Sequence, residues 1–132
     1  MAQRRGRTAT RQPDEERAGM ASTFEGALSR FLAECAFVAN VHDLATKWRI
    51  EFEGGYFLDV FFNAALGKYS YTLSKGETRI LGWDNAPHHP KLANSPHHFH
   101  RADGSVTASD LTGDPEHDLE IVRIEIERFL ET

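Results

Sequence analysis

The stretch Trp48-Arg49-Ile50-Glu51-Phe52-Glu53-Gly54-Gly55-Tyr56-Phe57-Leu58-Asp59-Val60-Phe61-Phe62-Asn63 decides the architecture. Trp48, Ile50 and Phe52 alternate with Arg49, Glu51 and Glu53, the period-two pattern of a strand with one apolar and one wet face. Gly54-Gly55 supplies a two-residue hairpin turn, because glycine reaches the positive φ such turns need. Tyr56 to Asn63 is almost wholly apolar or aromatic, so it reads as a central strand covered on both faces. Asp59 interrupts that run: it is either neutralised by a neighbouring Arg or belongs to a site.

Working outward, Gly67-Lys68 turns the chain into Tyr69-Ser70-Tyr71-Thr72-Leu73, and Lys75-Gly76 turns it into Thr78 to Trp83. His98-Phe99-His100 and Val106-Thr107, separated by the turn signal Asp103-Gly104, form a partial further hairpin. Asp114-Pro115 is a helix cap followed by proline at the first helical position, and Leu119, Val122, Ile126, Phe129 and Leu130 make one apolar helical face. Upstream, Ser22-Thr23-Phe24-Glu25 has capping-box spacing. It opens a helix expected to reach about Ala39, with Leu28, Phe31, Leu32 and Cys35 on its apolar face. The expected fold is α+β: an antiparallel four- to five-stranded meander with N- and C-terminal helices packed on one face. Residues 22–132 form one domain; residues 1–21 are Arg-rich, lack periodicity and read as a disordered basic tail, with Met20 an alternative start.

Composition narrows the function classes. The formal net charge is −5, and the first 20 residues contribute +2, leaving −7 for the rest. Such a domain is not built for general nucleic-acid binding, so any such role must be local to one site. The apolar runs are too short to span a bilayer, and no apolar segment follows the N-terminal arginines to make a secretory signal. The single Cys35 has no internal disulfide partner and reads as a small buried hydrophobe, which fits a cytoplasmic protein with no membrane partner.

Five of the seven histidines lie in Asp84-Asn85-Ala86-Pro87-His88-His89-Pro90 and Pro96-His97-His98-Phe99-His100. Pro87, Pro90 and Pro96 restrict the loop, and His98 and His100 point to the same side of a short strand. Three readings stay open. His98, His100 and Asp84 are N and O donors suited to a divalent Zn, Ni, Mn or Fe ion. Alternatively, two of the histidines act as general base and acid in RNA cleavage, with Asp84 orienting one of them. Arg79 or Lys91 would then bind phosphate, and Tyr56, Tyr69, Tyr71 or Trp83 would stack bases. The third reading has the histidines only capping strand ends. His42 and His117 read as ordinary surface residues.

The Tyr-Phe-Leu-Asp-Val strand, the Lys-Tyr-Ser-Tyr-Thr-Leu strand and the two histidine motifs, in that order, resemble the TumE family from Ile50 to the end of the chain. The resemblance implies the toxin of a type II toxin–antitoxin system, with a helix-turn-helix antitoxin as partner and RNA as target. It places Asp84, Asn85, His88, His89, His97, His98 and His100 at the site. A non-catalytic metal-binding or partner-binding module on the same histidines is the alternative function, and self-association as a homodimer is left open.

Overall fold

The computed structural model describes residues 13–132, with side chains from Thr23 onward. Of the predicted tail, residues 1–12 lie outside the described residues. Helix α1 spans Pro13–Glu34, so the Ser22–Glu25 spacing falls inside the helix and not at its start. Proline is well tolerated in a first helical turn, and capping-box spacing recurs by chance within helices. The far end is also earlier than expected. The chain leaves α1 at Glu34, and the backbone N–H of Ala36 is captured by Oε2 of Glu127 at 3.1 Å.

The residues after α1 form β1 (Val38–Asp43), a strand whose first two residues the sequence reading had placed in the helix and whose remainder it had left unassigned. Then come β2 (Trp48–Phe52), β3 (Tyr56–Asn63), β4 (Lys68–Lys75), β5 (Thr78–Asp84), β6 (His98–His100) and β7 (Val106–Ala108), followed by helix α2 (Pro115–Leu130). All join one antiparallel sheet in the order β1-β2-β3-β4-β5-β6-β7. The class is α+β and the topology a meander, but the sheet has seven strands, not four or five. Beyond β1, the excess comes from β6 and β7, which continue the sheet from β5.

The turns follow the local chemistry. Gly54 and Gly55 both hold φ near +90° between β2 and β3, a conformation that would strain any residue with a side chain. The Asp114 side chain caps α2 by accepting from the N–H of Glu116, and Pro115 takes the first turn as its missing donor allows.

The pleat gives the sheet two different faces. Ile50, Phe52, Leu58, Val60, Tyr69, Tyr71, Leu73, Leu81, Trp83 and Phe99 pack toward the helices with Phe24, Phe31, Leu119, Val122 and Ile126. Phe24 stacks on Phe62 at 5.2 Å between centroids, Phe31 meets Phe52, and Phe129 of α2 sits edge-on to Tyr56, so both helices cover the same face. The other face carries Arg49, Asp59, Phe61, Ser70, Thr72, Gly82, Asp84, His98 and His100. Asp59 is accounted for there: Arg49 donates through Nε and Nη2 at 2.8 and 3.0 Å, and Lys47 through Nζ at 2.8 Å. Burial alone would raise its carboxyl pKa, but these partners hold it below the ordinary carboxylate value. Among the described residues no helix is long and apolar enough to cross a membrane.

Tyr71 is fully enclosed on the helix side, and its hydroxyl has no hydrogen-bond partner among the described residues. Tyr71→Phe is therefore expected to be neutral or to stabilise the fold by up to about 1 kcal/mol at neutral pH. Burial, then the charge of Asp118, pushes the phenols of Tyr69 and Tyr71 well above their usual range. A raised folded-state pKa gives stability that is complete below the unfolded value of about 10 and lost as pH rises past it. Urea unfolding followed across alkaline pH should show that loss, and Tyr71→Phe should flatten it; an unchanged slope would contradict the assignment.

Candidate functional site

The restricted loop and the pleat together assemble the site. Asp84 ends β5, and the register sets it beside Ser70 on one side and His98 on the other. His100, two residues on, faces the same way, opposite Gly82. A β-carbon at Gly82 would already touch the His100 ring, at 3.5 Å from Cδ2, so larger side chains there would displace the imidazole. Asp84 answers both rings: its Oδ1 lies 3.1 Å from Nε2 of His98 and its Oδ2 lies 3.3 Å from Nε2 of His100. Its Oδ1 also accepts from the N–H of Ala86, which fixes the carboxylate at the loop entrance.

His98 is only 2% exposed. Its Nδ1 lies 3.0 Å from the carbonyl of Pro96, which can only accept, so Nδ1 carries a hydrogen. His89 folds back from the loop edge-on to His98, with centroids 4.7 Å apart, and lies 6.4 Å from the His100 ring. Burial, and then the Arg79 guanidinium, pushes the pKa of His100 below the ordinary imidazole value, against the opposing pull of Asp84. One nitrogen from each of His98 and His100 and one oxygen of Asp84 lie within 4.8 Å of one another, a compact N, N, O donor set.

These groups border an open cavity of about 670 Å³, also lined by Phe61, Lys68, Tyr69, Ser70, Arg79, Asn85, His88 and His89. Of the residues singled out from sequence, Asp84, Asn85, His88, His89, His98, His100 and Arg79 thus share one cleft. Tyr69 also borders it, but its ring is buried on the helix side against Tyr71 and His97 and cannot stack a base. Asn85 ties it down by accepting from the N–H of Tyr69 and donating to the carbonyl of Gly67.

His97 and Tyr71 are not among its walls. The alternation that sends His98 and His100 to the open face sends His97 the other way, where Nδ1 meets the Tyr69 hydroxyl at 2.7 Å and the rings stack. Tyr71 is buried under the helices and cannot stack a base without unpacking the core. The sequence reading missed Phe61, Lys68 and Ser70. Phe61 pairs with Ser70, and Ser70 with Asp84, so counting register outward from Asp84 would have found them.

The arrangement can orient imidazoles through a shared carboxylate, move protons in a half-enclosed cleft and hold a cation between three donors. No curated protein and no solved structure matches this chain. The model of a family described as Toxin TumE matches residues 29–130, which takes in α1 from its last turns, the whole sheet and the cleft. The chain belongs to the TumE toxin family.

Proposed function

We propose that this chain is the toxin of a toxin–antitoxin pair, that it cleaves RNA in the Asp84–His100 cleft, and that a helix-turn-helix antitoxin neutralises it. Family membership supports the toxin role. The observation that carries the chemistry is the convergence of Asp84, His98 and His100 with His88 and His89 in one cleft on the uncovered sheet face. Five residues able to accept, donate or orient protons in one place exceed what capping strand ends requires.

Cleavage follows from those groups. The 2′-hydroxyl oxygen attacks the adjacent phosphorus as its proton passes to a neutral imidazole, and the bond from phosphorus to the 5′ oxygen breaks as a second imidazole protonates that oxygen. A 2′,3′-cyclic phosphate and a free 5′-hydroxyl result. His88 and His89 reach the cleft from the loop without being held by Asp84, and they serve as the proton-transfer pair. Lys68 and Arg79 are the cations at its wall and bind the phosphate. Phe61 offers a ring for a base. With two such cations in an acidic chain, RNA affinity is modest and its salt dependence shallow, on the order of two phosphate contacts.

Induced expression without an antitoxin should arrest growth and leave RNA fragments with cyclic-phosphate ends. Normal growth with intact total RNA would end this reading.

A further inference from the structure

We infer that Asp84, His98 and His100 form a binding site for one first-row divalent transition-metal ion, with an open coordination position facing the cleft. The inference deepens the RNA-cleavage reading above, since the ion would take a phosphate oxygen of the substrate, but its geometric argument is independent of any turnover.

The argument starts from His98. Its Nδ1–H is committed to the Pro96 carbonyl, so in the neutral ring Nε2 presents a lone pair. That lone pair points at a carboxylate oxygen 3.1 Å away, which is itself an acceptor. Two acceptors at this distance repel unless a metal ion or a proton lies between them, and His98 itself is buried. His100 brings a third donor atom to the same carboxylate, 3.3 Å from Oδ2. Bond lengths of about 2.1 Å around a tetrahedral ion place neighbouring ligand atoms about 3.4 Å apart. The two imidazole–carboxylate separations are near this but run to different oxygens, and the set with one atom from each residue lies within 4.8 Å, which a bound ion would draw together. The Pro96 contact is also the kind of support that metal-bound imidazoles characteristically have: the far ring nitrogen donates to a backbone carbonyl, fixing the tautomer and the ring plane.

Donor type narrows the ion. Two imidazoles and one carboxylate suit Zn, Mn, Fe or Ni, whereas Ca and Mg prefer all-oxygen sets. Three protein ligands leave at least one position for water or substrate, the pattern of catalytic and not structural centres. That position borders the cavity shared with Lys68, Arg79 and His88, so a phosphate oxygen bound there would be flanked by cations. A proton on His98 Nε2 is the competing way to join the two acceptors, and a direct measurement separates the two.

The test uses full-length protein purified without a histidine tag, stripped with EDTA and dialysed against zinc or manganese chloride. Elemental analysis should return one equivalent per chain. Affinity should fall by roughly tenfold or more in His100→Ala, Asp84→Asn and His98→Gln. His42→Ala, on exposed β1, should bind as the parent does. Circular dichroism confirms folding, and the half-buried positions of Asp84 and His100 keep the test valid if His98→Gln misfolds. Folded parent that takes up less than about a tenth of an equivalent overturns the site, as does full binding in all three variants. Metal bound without RNA cleavage would retain the site and remove the ribonuclease reading, leaving a metal-binding module. Cleavage undiminished in EDTA by metal-free protein would keep the ribonuclease reading and overturn the assignment of the ion to the substrate phosphate.

Discussion

Asp84→Asn is expected to lower RNA cleavage by roughly two to four orders of magnitude and to make induced expression harmless to growth. Asp84 is the group to which both His98 and His100 are tied, through different carboxylate oxygens. An amide has one acceptor oxygen where the carboxylate has two, and it turns an N–H₂ toward one of the two ring nitrogens. Either imidazole is then left misoriented, His89 of the proton-transfer pair loses the His98 ring it rests against edge-on, and any cation between His98 and His100 loses its only negative ligand. The fold should survive. Asp84 is half-buried at a strand end, and its remaining structural bond is the one it accepts from Ala86. A denaturation midpoint within about 1 kcal/mol of the parent, together with lost toxicity, is the expected pair of results. If Asp84→Asn arrests growth as fast as the parent, the cleft is not the toxic site.

Asp118→Ala should give the largest loss of stability, about 3 kcal/mol or more by chemical denaturation. This carboxylate is wholly buried and lies far from the cleft histidines in sequence, in the first turn of α2. It accepts from the N–H groups of Thr112 and Gly113 at 2.9 and 2.7 Å, from the Thr112 hydroxyl at 3.2 Å and from Nδ1 of His117 at 2.9 Å. Truncation leaves those donors facing a void. Asp118→Asn should be nearly as damaging, because its amide hydrogens would face donors. A loss below about 1 kcal/mol in both variants would mean that the loop before α2 rearranges to find other partners.

Legibility in the sequence followed burial. Most strands from Trp48 to Trp83 were readable because one face is packed under helices and period-two alternation was written into the residues. β3 has no such alternation, and it was expected to be covered on both faces, whereas Asp59 and Phe61 lie on the face without helices. The cap of α2 was readable because Asp114 and Pro115 act locally. β1 was not, since this edge strand is mostly exposed and has no alternation to display. The histidine cluster marked one loop and strand, but proximity in sequence could not separate His97 from His98. Only the pleat does that, and a single residue of register decides which ring meets Asp84 and which meets Tyr69. Tyr71 misled for the converse reason. Its alternation with Ser70 and Thr72 was visible, but which face the helices would cover was not.

If the cleft is the toxic site, as proposed above, the order of the strands also sets when the protein can act on the cell that makes it. In a sheet that runs strictly from β1 to β7, each hairpin can close on the one before it as the chain emerges from the ribosome. Asp84 comes from the fifth strand and the two imidazoles it holds from the sixth, while α2, which completes the core beneath them, is made last. The cleft therefore cannot exist until nearly all of the chain has been translated. Products truncated before His100 would carry the early hairpins without the full set of cleft residues.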